Sequence, residues 1–215
     1  MGLVEGFGMN WRALEETGAS RRGKRRGRAM QVGEDIDALF GPVDRGDNVE
    51  CMIASALGAR WRLTWEDGWD WAAWDCVHVP SGARLVIKQT AARQSWDRES
   101  ERPARNPDFD TASRREYWPK EGSRWIERPG RQADLYVFVW HGRRDEHADH
   151  RDPGQWRFFV VAERSLPAGQ KGIRLSKLEK IATSCGVAEL GRAIEAACPA
   201  PEDPKATLEG PPASL

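Results

Sequence analysis

Three ionisable residues stand at positions where apolar side chains are the rule, and side chains of these types can act together as acids, bases or ligands in one site. Glu50 falls in a segment with helical apolar spacing, Asp75 in a segment with strand character, and Lys88 inside an otherwise apolar strand. An ammonium or a carboxylate buried without a partner is strongly unfavourable. We therefore expect the three side chains to meet in one polar site, where ionisable groups that perturb one another are typical of a functional centre.

The segment that carries Lys88 has two faces. Strand alternation puts Lys88 and Val86 on one face and Ile87 on the other. Asp75 lies in the preceding segment, and the two are joined by the turn residues 80–82, Pro-Ser-Gly. This pattern predicts a hairpin with Asp75 and Lys88 near its open end. The alternative interpretation is an ion pair that only braces the hairpin.

The elements that must position these residues follow from apolar periodicity and turn chemistry. A helix is predicted from an N-cap at Asp47-Asn48 to a C-cap at Gly58. In its first turn the helix dipole would favour Glu50 even without a function. Further segments predict five strands (61–65, 73–79, 84–89, 133–140 and 156–162) and two closing helices, around 173–181 and 187–194. The predicted fold class is α/β in the broad α+β sense, a mixed sheet flanked by helices.

The order of these residues carries a family resemblance. The series Glu50, Trp74-Asp75, Pro80-Ser81-Gly82, the strand 84–89 (Arg-Leu-Val-Ile-Lys-Gln) and the segment 91–96 (Ala-Ala-Arg-Gln-Ser-Trp) resembles the restriction-endonuclease-like PD-(D/E)XK superfamily. It is similar, more narrowly, to a group of bacterial proteins in which a Glu-Val-Lys strand precedes a Gln-x-Trp segment. The likeness continues through 133–138, 155–156 and 175–176, so that it covers roughly residues 46–195.

The resemblance implies a restriction-endonuclease-like fold and a role for each matching residue. Glu50 and Asp75 would hold Mg²⁺ or Mn²⁺, with the carbonyl of Ile87 as a further ligand. Lys88 would activate or orient the attacking water, and Gln94 would be a supporting polar residue. The expected activity is that of a metal-dependent endonuclease, with DNA as the partner.

One position departs from the family pattern. The second motif acid, two residues before the lysine, is replaced by Val86. A valine cannot coordinate a metal, so we expect weak metal binding and feeble or absent cleavage, and we expect Val86→Glu to strengthen both. The alternative function is a non-catalytic nucleic-acid-binding or protein-interaction module on the same fold.

Composition restricts the classes of protein further. The 215 residues carry 33 basic and 33 acidic side chains, and a net charge of zero limits nucleic-acid contact to local clusters. No apolar run is long enough to cross a bilayer, and the N-terminus lacks the apolar core of a signal peptide, which predicts a cytoplasmic protein. The excess of arginine over lysine favours a bacterial source. The four cysteines form no Cys-x-x-Cys pair and are expected to be reduced.

The two ends differ in composition from the middle. Residues 1–34 are rich in glycine and arginine and are predicted to be a disordered basic arm, which either neutralises phosphates or is a plain solvated tail. A native start at Met30 would make most of it an upstream extension. Residues 35–198 are predicted to be the folded domain and the proline-rich residues 199–215 a disordered tail. Homodimerisation is left open.

Other polar residues have weaker patterns. Three histidines stand between two predicted strands: His141, His147 and His150. In such a position a solvated loop is more common than a metal site. Ser81 has no base or nucleophile elbow adjacent in the sequence. The polar stretch 91–130 interleaves arginines with aromatic residues, which fits either ordinary surface or a groove wall that contacts phosphates.

Overall fold

The computed structural model describes residues 39–67, 72–95, 106–118 and 124–199, all within the unit formed by residues 36–215. The predicted basic arm, 1–34, lies outside the described residues. So does the predicted tail, apart from Pro199. The cysteines are all free, as predicted.

The fold is mixed α+β, which confirms the predicted class. A five-stranded mixed sheet carries helices, and the described residues also form two separate two-stranded sheets. The described elements, in chain order, are α1 (Pro42–Leu57), β1 (Trp61–Leu63), β2 (Cys76–His78), β3 (Arg84–Ala91), β4 (Asp108–Asp110), β5 (Arg114–Tyr117), β6 (Ile126–Gly130), β7 (Leu135–His141), β8 (Trp156–Ala162), β9 (Gly172–Arg174), α2 (Leu175–Ile181) and α3 (Val187–Ala197).

The main sheet has the order β1-β2-β3-β7-β8. Strands β1, β2 and β3 form an antiparallel meander, β7 pairs with β3 in parallel, and β8 closes the sheet antiparallel to β7. The carboxyl ends of β3 and β7 therefore meet at one edge, where Ala91 pairs with His141. Such edges are where open mixed sheets commonly build binding sites.

Each face of the sheet has its own apolar core. Helices α1 and α3 cover one face, where Ile53 and Ile194 pack against Leu85 and Ile87 of β3. The other face packs β9 and α2 over Val86 and its neighbours. The predicted alternation of β3 is confirmed, because Val86 and Ile87 belong to different cores.

Helix α1 begins earlier than predicted. Its N-cap is Gly41, Pro42 occupies the first helical position, and the backbone N–H of Arg45 donates to the Gly41 carbonyl at 2.9 Å. The predicted N-cap at Asp47 is wrong, because Pro42 presets a helical φ one and a half turns upstream. The predicted end is right, since Gly58 follows Leu57 with φ 65°.

The strand predictions succeed where apolar runs are long. Strand β8 has the predicted bounds, whereas β2 is reduced to Cys76–His78 because the chain bends at Asp75. That bend sends Trp74 into one core and Cys76 into the other. The ribbon of β5 and β6 was not predicted, because its exposed polar residues carry no apolar alternation.

Candidate functional site

Asp75 is tied to β3 by both its backbone and its side chain. Its N–H donates to the Leu85 carbonyl at 2.9 Å, and its Oδ2 accepts a 2.6 Å hydrogen bond from the N–H of Ile87. The carboxylate thus acts as a strand-pairing acceptor at the open end of the hairpin. It binds Ile87, the residue that precedes Lys88. The hairpin turn is the predicted one, with Gly82 at φ 69°. The ligand role of the Ile87 carbonyl stays a prediction.

Glu50 approaches the same part of the sheet from α1. Burial and the negative fields of Asp75, Glu50 and Glu66 raise the pKa of the Cys76 thiol. Cys76 itself is 1% exposed and is the first residue of β2, directly after Asp75. Glu66, in the 3₁₀ turn after β1, lines a cleft of about 180 Å³ together with Cys76 and Ala54. Glu66 could not be singled out from the sequence, because no motif or apolar periodicity marks its position.

Lys88 does not complete this group. It is half-buried on the face of β3 that carries Val86, whereas the helix that carries Glu50 covers the opposite face. Within the described ranges, no ion pair joins Lys88 to a carboxylate. In the same ranges, no three acidic, histidine or cysteine side chains are grouped so that they could hold a metal ion.

Val86 is more deeply enclosed than the family pattern implies for this position. It is 5% exposed and belongs to the core that contains Trp74, Tyr136 and Phe138. A glutamate introduced there would carry its carboxylate into an aromatic cluster, where ionisation is penalised. The structure therefore attaches a stability cost to the Val86→Glu substitution that the sequence suggested.

Gln94 belongs to a different polar group, at the carboxyl end of β3. Its Oε1 accepts a 2.6 Å hydrogen bond from Nη1 of Arg45, and its Nε2 donates to the Ala91 carbonyl at 2.7 Å. Arg45 Nε donates to Gln89 Oε1 at 2.5 Å, and Gln89 Nε2 donates to the Pro42 carbonyl at 3.2 Å. The two glutamines therefore fasten the start of α1 to the end of β3.

Two of the three candidate histidines are core residues, which corrects the expectation of a solvated loop. His141 and His150 are 0% exposed, and their ring centroids are 4.8 Å apart. His150 Nδ1 accepts from the Phe40 N–H at 3.0 Å, and His141 Nε2 lies 3.0 Å from Gln155 Oε1. Burial lowers the pKa of both, that of His150 to about 4. His147 is exposed, as expected of a loop residue.

The hairpin turn holds a serine and a histidine in contact. Ser81 Oγ is 2.7 Å from His78 Nδ1, and His78 Nε2 is 3.8 Å from Glu195 Oε1 of α3. Sequence reasoning missed this group because Glu195 lies far along the chain. The neighbouring amides are already used, since the Gly82 N–H donates to the His78 carbonyl at 2.8 Å and the Ala83 N–H faces Ser81 Oγ at 3.4 Å.

Acyl transfer needs N–H donors that are free to bind an oxyanion, and the Gly82 and Ala83 amides beside the serine are already engaged. The carboxylate of this group also has other partners, because Trp61 Nε1 donates to Glu195 Oε1 at 2.9 Å and Arg60 pairs with Glu195 Oε2 at 3.1 Å. The arrangement fastens the β2–β3 hairpin and β1 to the end of α3.

Comparison of the chain with family models, curated proteins and solved structures gives no match. Among the described helices, none has the length and apolarity needed to span a membrane.

Proposed function

We propose that this protein is a nuclease-fold protein that acts on DNA phosphodiesters, with metal-dependent cleavage weakened by Val86. One observation carries the proposal: the Asp75 carboxylate accepts the N–H of Ile87 at 2.6 Å, next to Lys88. An acid at the end of one strand and a lysine on the adjacent antiparallel strand is the pairing that the resemblance implies.

The donor set fits a weak metal site better than a tight one. Glu50 and Asp75 would hold Mg²⁺ or Mn²⁺ through carboxylate oxygens, the ligands that these ions prefer. The ion, when bound, would polarise the phosphodiester and lower the pKa of an attacking water. Two carboxylates without a third leave most coordination positions to water, and millimolar rather than micromolar affinity is the expectation.

Lys88 has a separate task in this proposal. Its ammonium would stabilise the negative charge that develops on the phosphate oxygens. Because Lys88 lies across the sheet from α1, the DNA backbone would have to run over the end of the sheet to meet both groups. Gln94 would have an indirect role, because its hydrogen bond with Arg45 fixes the end of β3 to α1.

A cleavage assay on supercoiled, linear and single-stranded DNA tests this function. We expect slow nicking with Mn²⁺, slower nicking with Mg²⁺ and none in EDTA. Lys88→Met should reduce the Mn²⁺ rate by about tenfold or more, equivalent to at least about 1.4 kcal/mol of transition-state stabilisation. Lys180→Met removes the same charge from an exposed position of α2 and should leave the rate unchanged. Equal rates in the two variants would refute the role of Lys88.

The second candidate function is a non-catalytic DNA-binding module on the same fold. The burial of Val86 at 5% exposure favours it, because that residue closes a position at which the superfamily has an acid. DNA binding that falls steeply with salt, with no cleavage in Mn²⁺, would support this candidate over the first.

The partners and location belong to the same proposal. The protein would act on DNA in the bacterial cytoplasm, as a monomer or a homodimer. Sedimentation equilibrium with and without DNA distinguishes the two oligomeric states, and fractionation of the native host tests the location.

A further inference from the structure

We propose that Arg45, Gln89 and Gln94 form a phosphate-binding site at the edge where β3 and β7 end. This inference builds on the proposed function but does not depend on a metal or on cleavage. The three residues come from α1, from β3 and from the segment just after it. Gln89 directly follows Lys88, so the site adjoins the proposed catalytic lysine.

Arg45 carries a buried positive charge. Arg45 is 4% exposed, and burial lowers the pKa of its guanidinium. The acceptors that hold it are the amide oxygens of Gln89 and Gln94, at 2.5 and 2.6 Å. Amide oxygens satisfy hydrogen bonds but do not neutralise a charge. A buried cation held in this way is destabilising unless an anion joins it.

No described carboxylate supplies that anion. The acidic residues in the nearby loop pair with arginines of their own, Asp145 with Arg143 at 2.7 Å and Asp149 with Arg151 at 2.8 Å. In the described ranges, Arg45 forms no ion pair with a carboxylate. Among the described residues the charge of Arg45 therefore has no balancing carboxylate, and an anionic ligand would supply one.

The positive end of a helix dipole adds to the charge of Arg45. Arg45 is in the first turn of α1, a helix of 16 residues whose N-terminal N–H groups carry the positive end of the macrodipole. One carboxylate, that of Asp44, lies in the same turn, and it is exposed. The nearby rings of His141 and His150 are buried and neutral near pH 7, because burial lowers the pKa of each.

The Nη2 group of Arg45 suits a phosphate ligand. Nε and Nη1 are used by the glutamines, whereas Nη2 makes no hydrogen bond with a described residue. A planar guanidinium held in place by two side chains loses little conformational freedom on binding an oxyanion, and arginine matches phosphate oxygens in geometry as well as in charge. The phosphate would come from a nucleic-acid strand or from free phosphate.

The experiment titrates metal-free protein in EDTA with inorganic phosphate, against chloride at equal ionic strength. Calorimetry and the phosphate-induced rise in thermal stability report binding. Gln94→Glu keeps the side-chain shape and places a carboxylate against Arg45 Nη1. The substitution also removes the Nε2 donor to the Ala91 carbonyl. We expect it to weaken phosphate binding at least tenfold. Arg45→Met removes the charge and should weaken binding to the same extent.

Arg192→Met is the control, since it removes an exposed arginine from α3. It should leave phosphate affinity unchanged. Wild-type protein that binds no phosphate, or Gln94→Glu and Arg45→Met variants that bind it as the wild type does, would overturn the proposal. If Arg45→Met fails to fold, Gln94→Glu decides alone.

Short oligonucleotides with and without a 5′-phosphate identify the source of the phosphate. A loss of affinity in Gln94→Glu for both kinds supports a phosphodiester ligand, and a loss only for the phosphorylated kind supports a strand end. Unchanged oligonucleotide affinity with lost phosphate binding supports free phosphate. Because the titrations need no metal, retained phosphate binding without DNA cleavage would count against the proposed nuclease function alone.

Discussion

The carboxylate of Asp75 accepts the backbone N–H of Ile87 at 2.6 Å, so a side chain replaces the backbone acceptor that a regular β2–β3 ladder would offer. The replacement is needed because the chain bends at Asp75 and turns Trp74 into the other core. The bound N–H gives the acid a fixed position. Its role in folding and its proposed role in metal binding can therefore be separated by substitution.

Asp75→Asn and Asp75→Ala should differ in stability, whereas both should lose the metal binding that needs the Asp75 charge. Asparagine retains an oxygen that accepts the Ile87 N–H, whereas alanine leaves this donor, on a residue that is 8% exposed, without its acceptor. We expect Asp75→Ala to lower the free energy of unfolding by about 1–3 kcal/mol more than Asp75→Asn does. Urea unfolding measures the difference, and equal stabilities would show that the hydrogen bond contributes little.

Val86→Glu should destabilise the protein rather than repair it. The new carboxylate would enter a core at a position now 5% exposed, at an expected loss of about 2–4 kcal/mol near pH 7. Because burial favours the neutral acid, the loss should shrink as the pH falls. Val86→Gln, of similar shape and uncharged, is the matched control. A Val86→Glu variant with wild-type stability and tighter Mn²⁺ binding would restore the interpretation drawn from the sequence.

Two helical glycines should respond to alanine in opposite directions. A Cβ on Gly191 of α3 would collide with the Ala56 carbonyl oxygen of α1, whereas a Cβ on Gly46 would meet only Gln89 Nε2, at 3.9 Å. Gly46→Ala should gain up to about 1 kcal/mol from helix propensity. Gly191→Ala should lose about 1–3 kcal/mol because the helices must separate. Chemical denaturation of both variants checks the signs, and a stabilised Gly191→Ala would mean that α1 and α3 are less closely packed.

The buried histidines predict that stability falls in mild acid. The folded protein keeps His150 neutral, with a pKa of about 4, while an unfolded chain would protonate it near its usual 6.5. The unfolded state therefore binds more protons between these values, and stability is lost as the pH falls through them. His150 alone corresponds to about 3 kcal/mol, and His141 adds to it in the same direction.

Unfolding free energies measured from pH 7.5 to 4 test this dependence. His150→Gln should flatten the profile, although it also removes the acceptor of the Phe40 N–H and so lowers stability at neutral pH. His147→Gln is the control, because that residue is exposed. A wild-type profile without slope between pH 6.5 and 4 would contradict the assignment of neutral buried histidines.

The sequence was informative where apolar pattern and burial coincide. Strands β3, β7 and β8 are long and apolar, so their type and the alternation of Val86 and Ile87 could be predicted. The start of α1 was misplaced because Asp47 is a good N-cap in isolation, whereas the structure uses Gly41 and Pro42.

The polar contacts were less accessible to sequence reasoning. The hairpin turn alone was enough to predict that Asp75 lies near β3. The position of Glu66 could not be predicted, because it depends on the 3₁₀ turn after β1, which has no sequence signal. The buried state of His141 and His150 depends on Phe40, which is 110 residues before His150, and on Trp156, which pairs with His141 across β7 and β8. Such contacts come from tertiary packing, and local residue patterns do not encode them.

Nicking of supercoiled plasmid by wild-type protein and by Asp75→Asn, in Mn²⁺ and in EDTA, tests the nuclease assignment most directly. Asparagine keeps the hydrogen bond to Ile87 while removing the charge that would hold the metal. We predict slow nicking by the wild type in Mn²⁺, none in EDTA, and at least a tenfold lower rate for Asp75→Asn at unchanged fold. A wild type without activity, or an Asp75→Asn variant that nicks at the wild-type rate, would contradict the account.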